Sequence, residues 1–177
     1  ALNLLMNGNV FLYYGEELGM KGSGKDENKR APMYWNKDGN AEGMCKGPAD
    51  MDDFRMKFDS LEEQQEDPDS IYNYVKQVIR VRNQNPVIAR GTTAYLEQYS
   101  GEQCFALTRS DENSSLLMLG NTSAETATVD LSGLTIGKTA AEELVLLGEL
   151  YTGEETAERT GAEITLPAWS ILILGEE

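Results

Sequence analysis

From about Arg90 onward the sequence breaks into short runs of β-branched, aromatic and aliphatic residues separated by turn formers, and this texture constrains the fold more than any other feature. The runs are Thr92–Tyr99, Cys104–Arg109, Leu116–Asn121, Thr126–Leu131, Glu163–Leu166 and Trp169–Leu174. Their spacing predicts an antiparallel β-sandwich. Ser100-Gly101-Glu102 and Asp111-Glu-Asn-Ser114 suit hairpin connections, and Pro167 suits the start of a strand. Ala141–Leu147 fits helix and strand equally. Trp169, inside a run apolar on both faces, is expected in the core.

The residues before Arg90 have a different character. Ala1-Leu-Asn-Leu-Leu-Met-Asn-Gly-Asn9 reads as the last turns of a helix, ended at Asn7-Gly8 by residues that tolerate the left-handed conformation. Val10-Phe-Leu-Tyr-Tyr14 is a continuous apolar run closed by Gly15, the pattern of a parallel strand buried on both faces. A two-sided strand needs neighbours, so the opening is expected to be one slice of a larger α/β architecture. Residues 21 to 66 show little periodicity and read as a long functional loop. Asp67-Pro68-Asp69-Ser70 then predicts a helix start with Asp67 as N-cap. Ile71, Tyr74, Val75, Val78, Ile79 and Arg82 form one stripe of an amphipathic helix that stops at Asn85-Pro86.

Composition narrows the chemistry. Among 177 residues, 15 basic against 30 acidic side chains leave a formal charge of -15, which repels nucleic acid and anionic lipid surfaces alike. Neither is expected as a partner. The sequence contains no histidine, so serine–histidine and cysteine–histidine couples are impossible and most zinc-site recipes lose a ligand type. Proton transfer would have to use carboxylates, lysine or tyrosine. Cys45 and Cys104 lie far apart in unlike contexts and read as free thiols, which leaves the redox compartment open. No run of about 18 apolar residues suggests a membrane span, and no signal-peptide pattern opens the chain. Asn113-Ser-Ser115 and Asn121-Thr-Ser123 match the glycosylation acceptor pattern, which is too short and frequent to carry weight.

Glu16 and Glu17 stand just past the expected strand, where α/β barrels keep their chemistry. Adjacent residues on an extended chain point to opposite sides, so they do not suit a cooperating acid/base pair, and a structural role is expected for both. Phe11-Leu-Tyr-Tyr-Gly-Glu-Glu-Leu-Gly-Met20 resembles the eighth barrel strand and its exit in the α-amylase family of glycoside hydrolases, family 13. Arg30-Ala-Pro-Met-Tyr-Trp35 resembles the loop that follows. Asp67-Pro-Asp-Ser-Ile-Tyr-Asn-Tyr74 through Val81-Arg-Asn-Gln-Asn-Pro86 resembles the eighth helix, and Leu166-Pro-Ala-Trp-Ser-Ile-Leu-Ile-Leu174 the closing strand of the carboxyl-terminal sandwich, domain C. The segments fall in the family's order and cover nearly the whole chain.

The resemblance implies an α+β fragment: the last β/α segment of a TIM-type barrel over residues 1–89, then an antiparallel Greek-key β-sandwich, domain C, over 90–177. It implies no catalytic residue here. The family's aspartate nucleophile follows strand four, its glutamate acid/base strand five, and a third aspartate with a histidine strand seven, all upstream of what Ala1 begins. A barrel needs about 250 residues, and the segment before Arg90 supplies one strand. Asp26-Glu-Asn-Lys-Arg30 matches the family's Asp-x-x-x-Arg spacing after strand eight, whose aspartate and arginine hold a glucose unit, so Asp26 and Arg30 are the expected substrate-binding residues. A carboxylate accepts from vicinal hydroxyls and a guanidinium donates through a planar fork. Tyr34, Trp35 and Trp169 could stack on a pyranose, but packing is the expected role of Trp169, and loop anchoring that of Trp35.

The expected parent is a retaining α-glucan hydrolase or transferase working by double displacement, its two carboxyl groups about 5–5.5 Å apart. No cofactor or metal is expected in this chain, and calcium in the parent, linkage preference and an extracellular or cytoplasmic location stay open. The chain alone is expected to be inactive and to associate through residues 1–20, unless that segment repacks onto the sandwich. The alternative is a non-catalytic carbohydrate-binding or structural sandwich, which would need an exposed aromatic cluster from such residues as Tyr95, Tyr99 and Tyr151.

Overall fold

A computed structural model describes residues 1–176 and divides the chain into two compact units, residues 1–10 with those from 77 onward, and residues 11–76. Helices α1 (Leu2–Leu5), α2 (Leu61–Glu66), α3 (Ile71–Gln84) and α4 (Val87–Arg90) precede ten strands. These are β1 (Thr92–Tyr95), β2 (Cys104–Ser110), β3 (Ser115–Asn121), β4 (Ala127–Asp130), β5 (Thr135–Ile136), β6 (Thr139–Ala140), β7 (Val145–Leu150), β8 (Glu158–Thr160), β9 (Glu163–Leu166) and β10 (Ile171–Gly175). All their pairings are antiparallel. One sheet has the order β1-β2-β3-β10-β7, a second β4-β9-β8, and β5-β6 form a small ribbon.

The core of the first unit lies between the two larger sheets. Ala106, Leu117, Leu119, Leu172 and Leu174 face Val129, Ile164 and Leu166, joined by Leu131, Leu134, Ile136, Ala141 and Leu144 from the connections. Alternate residues of β4 and β9 are buried, as a sheet with one dry face requires. The central strands β3 and β10 are instead buried on both faces, which explains their unbroken apolar runs. Val81 of α3 packs on Gly148 of β7, where a Cβ would come within 2.8 Å of its Cγ2. Gln77 Nε2 of the same helix donates to Glu149 O at 2.6 Å.

Several sequence expectations need correction. Val10–Tyr14 is not a strand, and among the described residues none of the ten strands pairs with it. Tyr13 and Tyr14 are 55% and 44% exposed. Helix α3 starts at Ile71, and its cap is Ser70, whose buried Oγ accepts Asn73 N–H at 3.2 Å. Asp67 instead closes a turn by accepting Asp69 N–H. The buried positions of α3 are Val78 and Val81, so the dry stripe is narrower than the apolar spacing implies. The long loop contains α2, opened by a capping box in which Ser60 N–H donates to Glu63 Oε2 at 3.1 Å. The ambiguous stretch after Ala141 resolves into a single 3-10 turn followed by β7. Trp169 lies outside the last strand, in the turn before β10, and is 53% exposed.

Candidate functional site

The segment after Tyr14 turns sharply to build a cleft. Gly15, at φ +87°, takes a left-handed conformation that its lack of Cβ permits, and the 3-10 turn Glu16–Leu18 follows. Glu17 Oε2 accepts Gly15 N–H at 2.8 Å and Glu16 Oε2 accepts Tyr13 N–H at 3.3 Å. Both carboxylates brace the backbone, as their adjacency suggests.

A second 3-10 turn, Asp26–Arg30, forms the opposite wall. It comes so close to Gly22 that a Cβ there would sit 2.8 Å from Asn28 O. The turn is held from below by Asn28, which is 5% exposed. Its Nδ2 donates to Ser23 O and to Asp52 Oδ2, both at 2.8 Å, while its Oδ1 accepts Asp52 N–H at 2.9 Å. Lys25 Nζ reaches Asp52 Oδ1 at 2.7 Å. Hydrogen bonding from Lys25, then from Asn28, holds the Asp52 carboxyl below the usual carboxylate range.

Above that base Asp26 and Arg30 stand in the opening. Arg30 Nη2 is 3.9 Å from Asp26 Oδ2 and 3.7 Å from Glu27 Oε1, and Lys29 Nζ is 3.9 Å from Asp26 Oδ1. The Asp26 and Arg30 side chains are 78% and 55% exposed. Exposed pairs this loose contribute about 0–1 kcal/mol, so both groups keep donors and acceptors free for a ligand. With Tyr13, Tyr14, Glu16 and Lys21 they line a cleft of about 470 Å³. Tyr14 OH donates to Ala31 O at 3.0 Å, and its phenol is pushed up by desolvation and, second, by the neighbouring Tyr13.

The remaining candidates fall elsewhere. The carbonyls of Tyr34 and Trp35 accept the Leu61 and Glu62 N–H groups at 2.9 and 3.0 Å, tying that loop to α2. On the sheets, Tyr95 is 62% exposed. Tyr99 packs against the core, and Tyr151 OH accepts Ala157 N–H at 3.0 Å. These three do not form an exposed cluster. Sequence reasoning missed Asn28 and Asp52, whose 24-residue separation leaves no local signal, and also α2, whose Ser60-x-x-Glu63 signature was present. Among the described residues no cluster of His, Cys, Asp or Glu could hold a metal ion. Nor is any helix among the described residues long and apolar enough to cross a membrane.

Comparison with known proteins adds independent evidence. The family model for the α-amylase catalytic domain matches residues 1–91. Alpha-amylase 3 of Dictyoglomus thermophilum is 31% identical over 91 residues, covering 51% of this chain and 18% of that protein. A cyclomaltodextrinase of Geobacillus thermopakistaniensis is 26% identical over 175 residues, covering 98% of this chain and 24% of its own length. The solved structure of Eubacterium rectale Amy13B superimposes with a TM-score of 0.91 at 40% identity, covering 99% of this chain and 33% of that one. The chain therefore spans a third or less of the length of each of these relatives.

Proposed function

The chain belongs to the α-amylase family of glycoside hydrolases, and from that premise we propose that it is the carboxyl-terminal part of an enzyme that hydrolyses or transfers α-glucosidic linkages. In this reading residues 1–89 complete a catalytic barrel and residues 90–177 are its domain C. Val10–Tyr14 would be the last barrel strand, its ladder partners belonging to the rest of the barrel. The chain's own contribution to chemistry is substrate binding. Asp26 and Arg30 hold a glucose unit, the carboxylate accepting from two vicinal hydroxyls while the guanidinium donates to their neighbours.

The observation that supports this most is the position of that pair. Asp26 and Arg30 are neighbours on one turn, open to solvent, and on the wall of a cleft within the segment matched by the catalytic-domain model. Binding energy from a sugar remote from the cleaved bond can be used in the chemical step. In the intact enzyme Asp26→Ala or Arg30→Ala should therefore lower kcat/KM on maltooligosaccharides by about 10–100-fold. Unchanged kinetics in both variants would remove the pair from the site. The isolated chain should show no turnover of starch, maltooligosaccharides or an aryl α-glucoside. Activity that follows this chain through purification and is lost on changing Glu16 or Glu17 would contradict the reading.

A further inference from the structure

Trp169 has φ +53°, and it is the one non-glycine position among the described residues with a positive φ. A bulky side chain in the left-handed region is a genuine outlier, and such conformations persist only where the surroundings over-determine them. Here the surroundings do. Trp169 N–H donates to Ser123 O at 3.2 Å, and Ser170 Oγ, fully buried, donates to Pro167 O at 2.7 Å. Asn121, 3% exposed, donates through Nδ2 to Glu125 O, Leu166 O and Pro167 O, and accepts both Ser123 N–H and Ser123 Oγ–H. That use of its amide also occupies the nitrogen a glycan would need. The indole carried by this rigid turn is nevertheless 53% exposed. Core packing therefore does not explain why a strained backbone is kept under it.

We propose that Trp169 is a stacking platform for an α-glucan chain, separate from the cleft at Asp26 and Arg30. The flat indole face suits the apolar C–H face of a pyranose. Exposed Thr122 and Gln103, joined by a Thr122 N–H to Gln103 O bond of 2.8 Å, border the Ser123 segment that holds the tryptophan and supply hydroxyl and amide groups for sugar hydroxyls. A formal charge of -15 leaves a neutral polysaccharide unrepelled where a polyanion would be excluded. The choice of an α-glucan rests on the family reading, whereas the platform itself does not use Asp26 or Arg30.

The chain has two tryptophans, so Trp35→Phe leaves Trp169 as the sole reporter. Maltoheptaose should then change its fluorescence saturably, and retardation in an amylose-containing native gel should weaken at least about tenfold in Trp169→Ala. Trp169→Gly separates binding from folding, because glycine relieves the left-handed strain. It should lose most of the retardation while its Tm holds or rises. The Trp35→Phe, Asp26→Ala, Arg30→Ala variant should keep the saturable maltoheptaose response of Trp169 fluorescence, a signal that reports the platform alone. No spectral response in Trp35→Phe, full retardation of Trp169→Gly, or a Tm loss of several degrees in that variant would overturn the proposal. Retardation lost in an Asp26→Ala, Arg30→Ala double variant but kept in Trp169→Ala would overturn it too, and would leave the cleft reading standing.

Discussion

The side-chain amide of Asn28 clasps Asp52 at both ends, donating to its carboxylate at 2.8 Å and accepting its backbone N–H at 2.9 Å. This pair, 24 residues apart, fixes the base of the turn on which Asp26 and Arg30 stand. Because Lys25 and Asn28 lower the Asp52 carboxyl from its ordinary 3.8, the clasp is complete above that unfolded value and is lost as pH falls below it, through the depressed folded value. An NMR titration of the Asn28 side-chain amide should report a transition below pH 3.8 that is absent in Asp52→Asn. A transition above the ordinary value would reverse the sign and reject the clasp.

Removing the amide takes away the buried hub of the turn. Asn28→Ala deletes its bonds to Ser23 O and Asp52 N–H, which lie on exposed residues, at a net cost of about 0.5–1.5 kcal/mol for each bond. Asn28→Ala should therefore unfold at lower denaturant, and limited proteolysis should cut first between residues 21 and 60. Equal protease resistance in variant and parent would mean other contacts hold the turn.

On the large sheet the decisive close approach is between Gly120 and Phe105, directly paired across β3 and β2. A Cβ at Gly120 would lie 2.1 Å from Phe105 Cε1, so the ring lies over the glycine backbone. Gly120→Ala should destabilise by about 1–3 kcal/mol, as overpacking does, and adding Phe105→Leu should recover part of that loss. Denaturant melts of the two single variants and the double variant measure the coupling directly. Additive effects would show that the ring and the glycine act independently.

Legibility in the sequence followed the range of the interactions. β9 has the expected bounds, because Ile164 and Leu166 alternate inward between polar residues. β8 escaped notice, since Glu158-Arg-Thr160 carries no apolar side chain and is a strand only through pairing with β9. Ser70 displaced Asp67 as the helix cap because a buried hydroxyl reached the free N–H first in space, although both residues suit the role in sequence. Asp26 and Arg30 were picked out only through the family resemblance, because an Asp-x-x-x-Arg spacing in a charged loop arises easily by chance. Asn28, between them, was not, since its partner lies across the loop. Trp169 was misread because an apolar neighbourhood carries no sign of a left-handed φ.

Among the described residues Arg109 is a buried cation with no carboxylate in ion-pair range. It is 1% exposed, donates to Leu5 O at 3.3 Å and to Thr93 Oγ1, and leaves Nε unpaired. Burial, and second the nearby Arg82, lowers its pKa. A charge with only neutral acceptors recovers little of its desolvation cost, so an apolar residue of similar length should serve as well. Arg109→Met is expected to hold or raise Tm, while Arg109→Ala, which opens a cavity, should lose about 2–5 kcal/mol. A large loss in Arg109→Met would mean the carbonyl contacts outweigh desolvation.

The last prediction concerns the apolar segment around Leu12, Tyr13 and Tyr14, which are 40%, 55% and 44% exposed. In the proposed enzyme this is a barrel strand, so its backbone and both its faces would be covered by neighbouring strands and helices. In the isolated chain no strand pairs with it among the described residues, and an extended apolar edge is a template for another copy. Covering such surface is favourable at about 25 cal/mol per Å², before the entropy of association is subtracted. The isolated chain should therefore associate at tens of micromolar, an amount on the order of the concentrations where unpaired edges cause aggregation. Tyr13→Lys should return it to monomer, because a charge at a pairing edge blocks strand addition. Light scattering with hydrogen exchange distinguishes the outcomes. A monomer whose residues 10 to 14 exchange as freely as a disordered peptide would show that the segment neither pairs nor repacks, and the association proposal would fail.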